Sequence, residues 1–242
     1  MAIAIAGCAS IPRNGIPDAA LAADAHIPDM EAIRFWGDEV SLDPVGDIRK
    51  RARHMPRIAQ NAKRIDGRPV VEMLALSGGG SDGAFGAGLL AGWTERGDRP
   101  EFELVTGVSA GAIIAPFAYL GPKYDATLKT IWTEYQQSQV ATTQVLSGIF
   151  GGDALTDTTP LVGLIAKYVD QKMLEAIAAE YNRGRILMVL TTNLDAQRPV
   201  TWNMGEIARS RSPRALALFR QVILASAAIP GAFPPVNVEV TA

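Results

Sequence analysis

The chain has 242 residues, 48% of them hydrophobic and 20% charged, and carries a formal net charge of −2. That is enough for one large domain with a sizeable core. It excludes a disordered tail, argues against nucleic acid as the main partner, and leaves no apolar run of the roughly 18–20 residues that span a bilayer. One cysteine, Cys8, excludes an intrachain disulfide and a cysteine-built structural metal site, and the only histidines, His26 and His54, lie in the first quarter of the chain.

Residues 1–8 end in Ile5-Ala6-Gly7-Cys8, which resembles a bacterial lipobox, where the cysteine is lipidated. A full export signal has a basic start and an apolar stretch of about 7 to 15 residues. Only seven residues precede Cys8 and none is Lys or Arg, so residues 1–8 are read as part of such a signal. Residues 9–30 are rich in Ala, Pro, Asp and Gly and read as a tether. Arg49, Lys50, Arg51, Arg53, Arg57, Lys63, Arg64 and Arg68 then make the rest of the 9–69 region basic, and it is read as helical. The expectation is a lipid-anchored protein of the bacterial cell envelope whose basic run is a solvated helix face or rests on anionic head groups.

From Val70 the pattern changes to buried strands alternating with amphipathic helices. Val70–Leu76 is an apolar run stopped by glycines, as a buried strand reads. Phe85, Leu89, Leu90 and Trp93 share one helix face that stops near Gly97. Phe102–Val108 is a second strand, followed by an apolar helix through Leu120. Thr159-Pro160 reads as a cap and first helical residue, Ile186–Leu190 as a central strand, and Ser212-Pro213 as the start of a helix carrying Leu216, Phe219, Val222 and Ile223. This alternation predicts an α/β layered fold with a mainly parallel sheet over residues 70–242.

Two motifs fall at strand-to-helix junctions. Gly107-Val108-Ser109-Ala110-Gly111 is a G-x-S-x-G between a strand and an apolar helix, where a strained turn presents a serine nucleophile and needs small neighbours. Gly78-Gly79-Gly80-Ser81-Asp82-Gly83 matches G-x-G-x-x-G, but a dinucleotide loop needs an acid at the end of the next strand. Glu101 and Glu103 stand at that strand's beginning, so no nucleotide cofactor is expected. The glycine loop instead offers free backbone N–H groups to an anion, which for acyl transfer is the tetrahedral oxyanion. Gly78, Gly79, Gly80 and Ala110 are the candidate donors. No histidine follows Ser109, so a Ser–Asp–His order is excluded and the base is a carboxylate or a lysine.

Together, Gly78–Gly83, Gly107–Gly111 and the segment Ala225-Ser226-Ala227-Ala228-Ile229-Pro230-Gly231-Ala232-Phe233-Pro234-Pro235-Val236 resemble, in order and spacing, the three characteristic segments of the patatin-like phospholipase family. The resemblance implies a three-layer α/β/α sandwich and a Ser–Asp dyad with Ser109 as nucleophile. It also implies hydrolysis of lipid or small acyl esters with no metal and no cofactor. Two departures matter. Asp82 stands where the family usually has Arg or Lys, which weakens the case for an anionic head group. The family's Asp sits in an Asp-Gly element after Phe-Pro-Pro, whereas Asp66-Gly67 and Asp82-Gly83 both precede Ser109. The domain is therefore expected to be incomplete at its C-terminus. Asp195 is the candidate substitute base, against a plain turn role after Ile186–Leu190, and Asp153 and Asp157 read as helix caps. Trp132, Tyr135 and Trp202 read as packing or acyl-pocket wall, and Met188 and Met204 as core. The competing expectation is a non-catalytic lipid- or partner-binding module of the same fold.

Overall fold

The computed structural model of the chain describes Asp18 and residues 21–22, 25–30, 33–39, 63–141, 158–229 and 233–241, without the side chains of 134–141. Cys8, most of the basic run, Asp153 and Asp157 lie outside the described residues. In chain order the strands are β1 (Arg34–Trp36), β2 (Arg64–Ile65), β3 (Arg68–Pro69), β4 (Met73–Leu76), β5 (Leu104–Val108), β6 (Ile186–Asn193) and β7 (Arg198–Asn203). The helices are α1 (Gly83–Arg96), α2 (Ala110–Leu120), α3 (Asp125–Ala141), α4 (Thr159–Tyr168), α5 (Gln171–Asn182), α6 (Met204–Arg209) and α7 (Ala215–Ala227).

Five strands form a mixed sheet in the order β1-β7-β6-β5-β4. β4, β5 and β6 run parallel, and β7 is antiparallel to both β6 and β1. Parallel strands flanked by helices are the arrangement expected of an α/β/α sandwich. Steps from β4 to β5 and from β5 to β6 move the same way across the sheet, so right-handed crossovers carry their helices to one face. Burial agrees: Val105, Leu187, Val189, Val200 and Trp202 are buried under α2 and its neighbours. On the opposite face Met73 is 65% exposed, and Thr106, Val108, Met188 and Leu190 are exposed or half-buried. The described helices thus make one layer of the sandwich.

Three differences from the sequence reading have physical causes. α1 does not bury Phe85 and Leu89, which are 77% and 56% exposed; Gly83, Ala87 and Leu90 face inward instead. Close approach decides this: Gly86 lies against Ile114 of α2, and Gly83 against the Trp132 ring of α3. The segment before residue 70 is more than a tether, since Ile27, Met30 and Ile33 are buried and β1 extends the sheet. Within the basic run, residues 64–69 form the hairpin β2–β3 around Asp66-Gly67, a strong two-residue turn signal, instead of a helix. α4 and α7 begin at Thr159 and Ala215, so Thr159 is the first helical residue and not the cap, and neither N-cap residue, Thr158 or Arg214, makes a side-chain capping bond.

Arg185 ties together the sheet end farthest from Ser109. It is 7% exposed, donates from Nε to the Phe102 carbonyl (2.9 Å) and from Nη2 to the Tyr119 carbonyl (2.6 Å), and pairs with Glu180 (3.0 Å). One guanidinium therefore joins the segments leading into β5 and β6 to the C-terminal end of α2, where a cation is favoured. Replacing Arg185 with Ala strands two buried carbonyls and removes one of the two arginine partners of Glu180, which keeps Arg183. The expected destabilisation is about 3 kcal/mol, read as a lowered midpoint in urea; a loss below about 1 kcal/mol, an ordinary single hydrogen bond, refutes this role.

Candidate active site

Leu76 of β4 lies beside Gly107 of β5, so the chain leaving β4 emerges next to the chain leaving β5. The glycine loop and the serine turn are brought together by register alone. A Cβ built on Gly78 would stand 3.1 Å from Ser109 Cβ and 3.6 Å from its Oγ. Ser109 adopts φ 55° and ψ −120°, a left-handed conformation rare for a residue with a side chain. Holding it costs about 1–3 kcal/mol, and such strain gathers at functional sites. The turn is also crowded. A Cβ on Gly107 would meet the Gly111 carbonyl, and one on Gly111 would overlap the Leu76 carbonyl oxygen. This is why the pentapeptide needs both glycines.

The Gly79 carbonyl accepts from Asp82 N–H at 3.0 Å, closing a turn of 3-10 helix over Gly80–Asp82. No acceptor is found among the described residues for the N–H groups of Gly78, Gly79, Gly80 and Ala110. Ala110 opens α2, every residue of which is buried, so its N-terminal dipole acts with little solvent screening. These are the groups a developing oxyanion needs. The Ser109 N–H is engaged elsewhere: it donates to Ser226 Oγ at 2.9 Å, and Ser226 donates in turn to the Leu190 carbonyl at 2.6 Å. Ser226 belongs to the third of the three sequence segments, but nothing in the sequence marked its hydroxyl. Pro230, Gly231 and Ala232 of that segment lie outside the described residues.

The other candidates fall at a distance from Ser109 or in supporting roles. Asp195 lies in the turn between β6 and β7, which Asn193 closes by accepting from Ala196 N–H at 2.9 Å. Leu190 pairs with Val108, so β6 runs three further residues, about 10 Å, before that turn. No hydrogen bond joins Asp195 to Ser109 among the described residues. Glu239, the one carboxylate after Ser226 in the sequence, pairs with Arg214 at the start of α7, while Ser226 is near its end. His26 bridges to Thr241. Glu103 accepts from Glu72 N–H at the start of β5, opposite the glycine loop. Trp132 and Trp202 are buried packing residues, Met204 is core and Met188 half-buried; the Tyr135 side chain lies outside the described residues. Among the described residues no set of three His, Cys, Asp or Glu is grouped as for a metal ion, and no helix is long and apolar enough to cross a membrane.

A cavity of about 220 Å³ lies at the far end of β5, beside Arg99, Phe102 and Arg185. Its arginines are engaged through their Nη groups, Arg99 and Arg185 capping the Ala118 and Tyr119 carbonyls of α2 and Arg99 pairing with Asp125 at 2.7 Å, while Arg99 Nε is buried without a partner among the described residues.

The crowding at Gly111 is directly testable. Gly111→Ala forces the nucleophile turn away from β4, and the rate of fluorophosphonate labelling is expected to fall about 100-fold. Gly92→Ala, which points into open space on α1, is expected to leave labelling unchanged and to stabilise the chain by about 0.5–1 kcal/mol. Equal labelling in the two variants would refute the close-packed turn.

No curated protein matches the chain in sequence. The patatin-like phospholipase family model matches residues 74–242, a span that contains the glycine loop, the strained serine and the segment of Ser226. The chain belongs to the patatin-like phospholipase family, whose general chemistry is lipid acyl hydrolysis.

Proposed function

We propose that the chain carries the nucleophile and oxyanion site of a serine acyl-ester hydrolase with a Ser–Asp dyad. The observation that carries this reading is the strained Ser109 beside a glycine loop with unengaged N–H groups. Ser109 Oγ attacks the ester carbonyl as its proton passes to a carboxylate. The tetrahedral oxyanion is held by N–H groups among Gly78, Gly79, Gly80 and Ala110, and Gly78 also shapes the wall beside Oγ. Collapse expels the alcohol, which takes the proton, and water then releases the acyl group by the same route in reverse. Each oxyanion donor is worth about 3 to 4 kcal/mol of barrier in such sites.

The family resemblance puts the aspartate of the dyad after the 225–236 segment. What supports a base near the start of that segment is that the end of α7 is bonded to the nucleophile turn through Ser226. Within the present chain Asp195 is the carboxylate to test. Lipids are the substrate class of the family; exposed Asp82 in the glycine loop favours esters with an uncharged or cationic leaving group over anionic phospholipids. Anchoring through Cys8 in the bacterial envelope belongs to the same proposal and rests on Ile5–Cys8.

Fluorophosphonate labelling of the chain, followed by peptide mapping, tests this reading. Slow labelling at Ser109, abolished by Ser109→Ala and unaffected by Asp195→Asn, is the expected result. Undiminished ester turnover in Ser109→Ala overturns the assignment. Labelling lost in Asp195→Asn makes Asp195 the base. A folded wild type that never labels favours the non-catalytic lipid- or partner-binding reading.

A further inference from the structure

We infer that Ser226 is a positioning residue for the nucleophile, holding open the point where β5 and β6 part and so setting where Ser109 Oγ stands. This rests on Ser109 being the nucleophile. Val108 and Leu190 are the last paired residues of the parallel β5–β6 ladder. One residue later, the Ser226 hydroxyl stands between the strands as a bridge: Ser109 N–H donates to Oγ at 2.9 Å, and Oγ–H donates to the Leu190 carbonyl at 2.6 Å. The single hydroxyl proton is committed to Leu190, so the lone pair that receives Ser109 N–H has a fixed direction.

Serines in helices usually return their hydroxyl to a carbonyl one turn back. Ser226, one residue from the end of α7, instead reaches partners 36 and 117 residues away in sequence. The bridge has two consequences for the reaction. It secures the 108–109 peptide from outside the turn, at the residue whose φ of 55° needs such support. It also removes Ser109 N–H from the oxyanion site, leaving Gly78, Gly79, Gly80 and Ala110 as the unengaged donors. Without the hydroxyl, Ser109 N–H and the Leu190 carbonyl either bond directly, closing the ladder by one step, or recruit water. In both cases Ser109 Oγ moves while the substrate-binding surface does not.

Saturation kinetics of fluorophosphonate labelling on the whole chain separate these effects, with melting temperature as the control for folding. Ser226→Ala is expected to lower the maximal labelling rate by about 10- to 100-fold with the half-saturating concentration unchanged. Ser226→Thr, which keeps the hydroxyl, is expected to restore the rate. A folded Ser226→Ala that labels at the wild-type rate overturns the inference, as does a change confined to the half-saturating concentration or a folded Ser226→Thr as slow as Ser226→Ala. If Ser226→Ala does not fold, Ser226→Cys replaces it: its sulfur is a weaker acceptor, so an intermediate rate supports the bridge and a wild-type rate refutes it. Wild-type protein unlabelled at Ser109 would instead overturn the nucleophile assignment, and the positioning role with it.

Discussion

Where β5 turns into α2, Gly107 packs against the backbone of Gly111 and Gly111 against the end of β4, so neither has room for a single carbon. Everything functional in the described structure depends on that contact. It lets α2 start immediately after the strand, forces Ser109 into its left-handed conformation, and brings the glycine loop within van der Waals reach of the serine side chain. The contact is possible because β4 and β5 are parallel and in register at Leu76 and Gly107, so both chains leave the sheet at the same level. A parallel pair needs a crossover helix, and α1 provides it while continuing directly from the glycine loop. Fold and site are in this sense one constraint.

The electrostatics follow from the same packing. α2 is buried along its whole length, so its N-terminal N–H groups and dipole act in a low-dielectric surrounding. The serine turn could in principle offer its own amide as well. That amide is withdrawn by Ser226, and the glycine loop supplies N–H groups from the other side of the nucleophile. At the far end of the sheet, Arg99 and Arg185 cap the last carbonyls of α2. The central helix is thus charge-complemented at its C-terminus by fixed cations and left open at its N-terminus, where a substrate anion would form.

Much of this was legible in the sequence because it is local. The apolar runs ending in glycine, the G-x-S-x-G and the Thr-Pro and Ser-Pro helix-start signals are short-range, and each falls within a few residues of its element. The orientation of α1 was not legible: helical spacing grouped Phe85 with Leu89, Leu90 and Trp93, but the tight contacts of Gly83 and Gly86 with α3 and α2 turned the first two outward. Periodicity counts hydrophobic side chains, whereas close helix packing here selected their absence. β1 escaped notice for a different reason, since three residues are too short to show alternation and their pairing partner, β7, lies more than 160 residues away. Ser226 escaped because a hydroxyl bridge between two strands leaves no pattern in the sequence around it.

The question of the base becomes one of reach. A carboxylate that serves Ser109 must come within hydrogen-bond distance of Oγ in the substrate complex, so it must be carried by chain that passes the ends of β4, β5 and β6. Asp195 is on a hairpin that overshoots that level, and its turn is closed by Asn193, so bringing it back requires bending paired strands. Glu239 is held by Arg214 at the start of α7, a helix about 20 Å long whose other end carries Ser226. The 225–236 segment differs from both: it leaves α7 already bonded to the nucleophile turn. A base brought to that end of α7 would need no rearrangement of the sheet, and its movements would be transmitted to Ser109 through one hydroxyl. In such an arrangement the Ser226 bridge holds the two halves of the dyad in a common frame.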